Sequence, residues 1–275
     1  MVKILNLIMR RLTIDEKNKI ITLSKNGKSL NQICNKTKLK KTTVYYHLRK
    51  LRGKKLKDFS FVANEENIGE FVGVFAADGC FSKCGYRSVT SLYFSPDEEE
   101  YAKSAHKMLS GMFSRTPLLF WDKNNKIYII RFNSKDIKTL LKTYLDWDGK
   151  KTYSVQLKSI DHTREFLLAF LRGYLDSDGF CNNDTKKASF FGVSKNMLDQ
   201  IDDIVKSFGV ITKRYTSIRQ NRKPLYFVHV TNSDAIKLIR LVRPRNEKRI
   251  RKWAQQDLNS QINGHDHQFP AFQGF

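Results

Sequence analysis

The chain is poor in the residues that staple or stiffen small folds: its 275 residues hold four cysteines, five prolines and three tryptophans. Cys34, Cys80, Cys84 and Cys181 are too few for a disulfide scaffold, which needs a dense, even set in a short chain. Cys80 and Cys84 stand at a spacing that zinc uses, but no second pair or nearby histidine completes a ligand set, so they read as reduced thiols without a metal. No apolar run approaches the roughly 18 residues that a membrane span requires. The apolar start, Met1 to Met9, is short, lacks a small-residue cleavage site and runs into Arg10-Arg11, which argues against a secretory signal. Acids are scarce as well: 27 Asp and Glu against 50 Lys and Arg leave a net charge of +23. Such an excess points to a polyanionic partner. That partner is DNA, RNA or an anionic membrane, and the expected place is an intracellular compartment that contains nucleic acid.

The positive charge is unevenly spread. Residues 1–60 carry 17 Lys and Arg against three acids, a net +14, which leaves +9 for the rest of the chain. The pattern of this segment is helical. Thr13 with Glu16 three residues on forms a capping box, and Ile14, Ile20, Ile21 and Leu23 supply an apolar face. Asn26-Gly27 ends that helix. Ser29 caps a second helix to about Asn35, with Leu30, Ile33 and Cys34 inward. After a turn at Thr37-Lys38-Leu39, a third helix runs from Lys40 to Leu51 with Val44, Leu48 and Leu51 on one face. Residues 1–57 thus read as a small trihelical domain, and Ser29 to Leu51 resembles the helix-turn-helix of recombinases and resolvases. That resemblance implies a third helix in the major groove, with Thr42, Thr43, Tyr45, Tyr46 and Arg49 facing DNA and Lys40 and Lys41 meeting phosphate. A basic linker follows, in which Arg49, Lys50, Arg52, Lys54, Lys55 and Lys57 supply sequence-independent affinity.

The remainder repeats itself. Glu70-Phe71-Val72-Gly73-Val74-Phe75-Ala76-Ala77-Asp78-Gly79 and Phe170-Leu171-Arg172-Gly173-Tyr174-Leu175-Asp176-Ser177-Asp178-Gly179 are both apolar runs that hold a glycine and end in Asp-Gly, 100 residues apart. A shift of 99 places Ser88–Ser95 on Lys187–Ser194, and a shift of 98 places Ile127–Asp136 on Leu225–Asp234 and Lys150 on Lys248. Each half reads as helix, strand, helix, hairpin, helix. A glycine in mid-helix lets another backbone come close. Two such helices, each ending in an acid, bring paired carboxylates to one interface beside a basic surface, as divalent-metal chemistry on phosphates requires.

The two decapeptides and their matched flanks, from about Glu65 to Trp253, resemble the single-chain LAGLIDADG homing endonucleases. The resemblance implies an α/β (α+β) pseudo-dimer: two αββαββα repeats, 58–158 and 159–256, with antiparallel saddle sheets, followed by a tail, 257–275. It implies motif helices packed together at Gly73 and Gly173, and Mg²⁺ or Mn²⁺ held by Asp78 and Asp178 with the backbone carbonyls of Ala77 and Ser177. Each centre would cut one strand of double-stranded DNA at a long, partly asymmetric site. Lys150 and Lys248, with Lys151 and Arg249 beside them, match the basic residue that the family keeps at the edge of each centre. Arg172, atypical where the motif wants a small residue, is expected on the flank away from the contact. Alternation in the hairpins puts Tyr128, Ile130 and Phe132 on the core face and Arg131 and His229 toward bases. Arg87, Lys186, Lys213, Arg214, Arg219, Arg222 and Lys223 extend the basic surface. Two repeats in one chain make a monomer the expected state. Two alternatives share the scaffold: a non-cleaving transcriptional regulator and a maturase of intron RNA. Retention of both motif acids favours the endonuclease.

Overall fold

The computed structural model describes residues 12–52, 60–62, 64–84, 87–182, 184–218 and 220–250. Arg219, the linker lysines Lys54, Lys55 and Lys57 and the tail 257–275 lie outside them, as do the side chains of Arg52 and Arg87. The chain divides into two units, Met1–Asp58 and Phe59–Phe275. No helix among the described residues is long and apolar enough to cross a membrane.

The first unit has three helices: α1 (Ile14–Lys25), α2 (Leu30–Thr37) and α3 (Lys41–Arg52). Two of them begin with capping boxes. Glu16 N donates to Thr13 Oγ1 at 3.2 Å and Thr13 N to Glu16 Oε2 at 2.9 Å; Ser29 and Gln32 repeat the exchange. Ile20, Ile33, Val44 and Leu48 form the core, with Leu12, Leu23, Leu30, Cys34 and Leu39 packed around it. Two expected core residues are outside: Ile14 is 73% exposed and Leu51 50%. Ile14 opens α1, and the eight-residue α2 is too short to cover the last turn of α3 as well.

The second unit runs through one series twice. The first pass is α4 (Glu65–Asp78), β1 (Gly79–Cys84), β2 (Arg87–Phe94), a 3-10 turn (Pro96–Glu98), α5 (Glu99–Met112), β3 (Leu118–Asp122), β4 (Ile127–Phe132) and α6 (Lys135–Tyr144). It closes with β5 (Leu145–Asp146), α7 (Lys151–Ser154) and β6 (Gln156–Leu157). The second pass is α8 (Arg164–Asp178), β7 (Gly179–Asn182), β8 (Lys187–Gly192), α9 (Lys195–Ser207), β9 (Lys213–Ser217), β10 (Leu225–Thr231), α10 (Asn232–Val242) and α11 (Glu247–Ile250). The sheets have the same antiparallel order, β1-β2-β4-β3 and β7-β8-β10-β9. Leu92, Phe94, Ile130 and Phe132 of the first sheet and Phe190, Val228 and Val230 of the second lie in one core with the inward faces of α5, α6, α9 and α10.

Strand pairing corrects the alignment of the halves. Leu92 lies opposite Gly79 and Ile130, and Phe190 lies opposite Gly179 and Val228. Leu92 therefore matches Phe190, at an offset of 98 rather than 99. A slip of one residue would have exchanged the two faces of the sheet. The two residues missing from the second repeat are lost inside its opening β-hairpin.

Where the passes meet, α4 and α8 pack backbone to backbone. A β-carbon on Gly73 would overlap the Phe170 carbonyl oxygen and lie 2.9 Å from Tyr174 N; one on Gly173 would overlap the Glu70 carbonyl oxygen and lie 2.8 Å from Val74 N. The two sets of neighbours are the same under a shift of 100. A second close approach, Gly69 against Phe166, lies one turn earlier and carries no signal in the motif itself.

The short helices that close each pass dock on the other repeat. Beside α7, Ser194 Oγ donates to the Val155 carbonyl at 2.7 Å, and Gln200 exchanges hydrogen bonds of 2.8 and 2.9 Å with Leu157. Beside α11, Lys248 Nζ lies 2.8 Å from Asp97, and Asn246 Nδ2 donates to Glu98 at 3.0 Å. The first brace is neutral and the second is charged.

Candidate active site

Asp78 and Asp178 are the last residues of α4 and α8, and Gly79 and Gly179 carry the chain straight into β1 and β7. The close crossing of the helices therefore brings both carboxyls to one place. Burial, then the charge of Asp178, pushes the Asp78 carboxyl up to about 7. Burial raises Asp178 as well. Two adjacent buried carboxylates resist ionisation unless a cation joins them.

Two cations of the protein stand beside them, and both grip backbone. Lys151 Nζ donates to the carbonyls of Phe75, Ala76 and Ala77 at 2.6, 2.9 and 3.3 Å. Arg249 donates to the carbonyls of Asp176 and Ser177. Each closes the C-terminal end of a motif helix, where the helix dipole is negative. Burial pulls the Lys151 ammonium down to about 8, against the pull of Asp78 and Asp178. These are Lys151 and Arg249, not Lys150 and Lys248. Lys150 is the exposed N-cap of α7, and Lys248 turns to Asp97 and Glu98. One residue along a helix rotates a side chain by about 100°, so sequence matching alone leaves this choice open.

The residues fit a hard divalent cation. Among the described residues no group of three or more His, Cys, Asp or Glu is placed to hold a metal ion, so an ion at Asp78 and Asp178 would complete its shell with carbonyl, phosphate or water oxygens. Magnesium is commonly held in that way. Ser177 Oγ is buried in the same turn without a hydrogen-bond partner. The Ala77 and Ser177 carbonyls are at the centre, each shared with a cation.

The helix contact also carries a charge cluster. Arg172, expected on the outer flank, is instead buried within the contact, because its partners lie on the facing helix and at the C-terminal end of α10. Its guanidinium donates to Glu66 at 2.7 Å, Glu70 at 3.1 Å and the Val242 carbonyl at 2.8 Å. Arg245 joins Glu70 at 3.0 Å. The Arg172 hydrogen bond holds Glu66 below its usual range, whereas burial outweighs both arginines and raises Glu70. Asp176, the acid without a counterpart in the first motif, accepts from the backbone N–H groups of Arg245 and Asn246 at 2.8 and 3.0 Å. It anchors the loop before α11.

Strand register gives the face turned away from the helices. Cys80, Ser91, Arg131 and Leu118 form one row across the first sheet, and Phe180, Ser189, His229 and Lys213 form the matching row of the second. The Arg131 guanidinium lies over the Phe120 ring at 4.8 Å, and its Nε is buried without a partner. His229 Nδ1 is 2.6 Å from Ser189 Oγ; burial, then Lys187, lowers its pKa. Lys186, Arg222 and Lys223 are exposed in the turns. Arg214 belongs to the other face. It pairs in register with the core residue Val228 and forms ion pairs with Asp199 and Asp202 of α9. Alternation separates it from its neighbour Lys213. Accordingly, Arg214→Ala is expected to lower the melting temperature, and Lys213→Ala to leave it unchanged. A thermal melt of both variants checks this.

In the first unit, Tyr45 and Tyr46 are 56% and 64% exposed on α3, and Lys40, Lys41, Thr42 and Arg49 are exposed with them. Thr43 is half-buried. One basic, aromatic helix face is thus open to solvent.

Residues 165–240 match the family model described as a LAGLIDADG-like domain. A stretch of 177 residues, 61% of this chain, is 24% identical to the ATP-dependent DNA helicase Hel308 of Thermococcus kodakarensis, of which it covers 16%. A stretch of 176 residues is 25% identical to the Replication factor C small subunit of Methanocaldococcus jannaschii, of which it covers 9%. The chain thus spans under a fifth of the length of these relatives. Among solved structures, the homing endonuclease I-DmoI bound to its target DNA with Mn is 13% identical at a TM-score of 0.50, over 67% of this chain and 98% of that one. Full-length DUF199/WhiA from Thermatoga maritima is 14% identical at a TM-score of 0.48, over 74% and 66%.

Proposed function

We propose that this chain, which belongs to the LAGLIDADG family, is a site-specific, divalent-metal-dependent endonuclease that cuts both strands of a long DNA site and uses residues 1–57 as an added DNA-binding head. The observation that carries the proposal is the pair of half-buried carboxyls, Asp78 and Asp178, brought together at the ends of two interlocked helices and both raised by their surroundings. A protein that only bound DNA would gain nothing from two ionisable groups held where they repel. A divalent metal bound here would supply charge neutralisation at the phosphate and activate a water. Asp78 and Asp178 would hold it, with the Ala77 and Ser177 carbonyls beside them. Lys151 and Arg249 fix the helix ends and add positive charge where the transition state becomes more negative. The sheet faces carrying Arg131 and His229 read base edges, and the exposed cations hold phosphates. The helicase and the replication factor share no activity by name, yet each contains a stretch like this one in a small part of its length. That distribution suits a segment that moves between hosts, as homing requires.

The test is nicking and linearisation of supercoiled plasmids that carry a library of candidate sites, with Mg²⁺ or Mn²⁺ and with chelator. Metal-dependent linearisation at one selected site is expected. Specific binding with no nicking under either metal would replace the proposal with a non-cleaving regulator.

The head has its own readout. Deleting residues 1–57 removes 17 cations and two acids. The salt slope of binding should flatten by ~0.9 for each phosphate the shortened protein no longer neutralises, with weak cleavage retained at high enzyme concentration. An unchanged slope would show that the head does not touch DNA.

A further inference from the structure

The two centres are not braced alike. Glu98 is 5% exposed and belongs to the first repeat, yet its partners include three side chains of the second. Its Oε1 lies 3.0 Å from Asn246 Nδ2, 3.3 Å from Arg249 and 3.8 Å from Lys248, while Oε2 accepts from Ser95 N at 2.8 Å. Asn246 is 1% exposed and spends its other amide hydrogen on the Asp176 carbonyl at 2.7 Å, the same oxygen that Arg249 Nε reaches. Asn246 Oδ1 accepts from Lys248 N at 3.1 Å. Glu98 thus fixes both side chains that meet the end of α8.

Among the described residues the other centre has no such carboxylate. Tyr101, Ala102, Ala105 and Leu109 on α5 face inward as Met197, Leu198, Ile201 and Val205 do on α9. That register puts Ser194 where Glu98 stands, and Ser194 braces α7 by a hydrogen bond from its hydroxyl. Among the described residues, Lys151 reaches its three carbonyls with no ion pair to hold it there. A third acid beside Asp78 and Asp178 adds to the repulsion there. Burying it is unfavourable in itself and must be offset by what it pairs with.

We propose that Glu98 is a positioning residue for the second centre: its contacts hold Arg249 on the end of α8, so that its loss slows cleavage of one DNA strand far more than the other. The proposal rests on the endonuclease reading above. An arginine has several donors and a long flexible stem. Without Glu98 it can leave the Ser177 carbonyl for solvent or for Asp178 itself.

The experiment measures each strand separately, on a duplex of the selected site with the two strands labelled differently, under single turnover. Glu98→Gln keeps the shape, removes the charge and leaves one acceptor oxygen where Glu98 uses two, toward Ser95 N and toward Asn246 and Arg249. Glu98→Ser copies the first centre's brace. Each is expected to slow one strand by about 10- to 100-fold, the scale for a displaced catalytic group, with the other strand within about threefold and nicked product accumulating. Glu98→Asp should recover part of the slow strand. Binding of Mn²⁺ to the DNA-free protein, followed by electron paramagnetic resonance, should keep its stoichiometry, because Glu98 orients a cation of the protein and not the metal. Equal slowing of both strands, or none, overturns the proposal. If Glu98→Ser fails to fold, the isosteric Glu98→Gln decides. Failure of the wild-type protein to nick any site would instead strike the endonuclease reading.

Discussion

Gly73→Val and Gly173→Val will each lower the melting temperature and the cleavage rate together. In both cases the added β-carbon meets main chain: the Phe170 carbonyl and Tyr174 N in one, the Glu70 carbonyl and Val74 N in the other. A side chain could rotate away, but a helix backbone moves only as a body. The helices must part. Overpacking of this kind costs about 3 kcal/mol or more, equivalent to a fall of roughly 6–12 °C in a domain of this size. The parting also shifts Asp78 against Asp178, and a displacement of about 1 Å costs ~10²-fold in rate. Gly111→Ala is the control: its β-carbon would meet nothing within 4 Å, and replacing a helical glycine with alanine stabilises by about 1 kcal/mol. Scanning calorimetry and single-turnover cleavage on the same preparations give the result. Glycine variants that melt like wild type would mean that the motif helices do not pack on each other.

Asp78→Asn and Asp178→Asn separate the two effects. Cleavage should fall by about 1,000-fold, the scale of losing a main electrostatic stabiliser, with DNA affinity within a few fold. Stability without metal should rise near neutral pH. The Asp78 carboxyl sits at about 7 in the folded chain against a reference of 3.8. The folded state therefore keeps a proton that the unfolded chain gives up. The contribution of this group is fully present below about pH 4 and is lost as pH rises through 7. Asparagine removes that loss, so Asp78→Asn should melt above wild type at pH 8, and the gap should close toward pH 4. Added Mg²⁺ should raise the wild-type melting temperature and leave the variant unmoved. A variant that cleaves like wild type would remove that acid from the mechanism.

What could be read from sequence depended on how many residues shared the signal. The repeat was legible because helix, turn, strand and hairpin recur in order, and a glycine held at one place in both motifs is hard to account for except by a close backbone approach. The caps of α1 and α2 were legible because Thr13 with Glu16 and Ser29 with Gln32 are local devices. Single positions were harder. Lys151 and Arg249 each have a lysine before them, and only the phase of a four-residue helix tells which neighbour turns inward. Arg214 follows Lys213 in an edge strand whose residues are mostly exposed, so alternation had no apolar partner to fix it. Arg172 reads as an outward charge in sequence because only its partners make burial tolerable, and those lie 102 and 106 residues away, at Glu70 and Glu66.

That buried arginine bears on how the two halves choose one another. The glycine contacts use backbone, which every repeat of this kind possesses, so they would join any half to any other. Under the shift of 100 that relates the helices, Glu66 and Glu70 fall on Phe166 and Phe170. If two copies of the second half met, Arg172 would face phenylalanine rings, and a buried charge without its partner costs about 3–5 kcal/mol. Two copies of the first half would leave Glu70 in the contact with no arginine. The shared backbone surface makes mating possible, and the charge pair selects an unlike half over a like one.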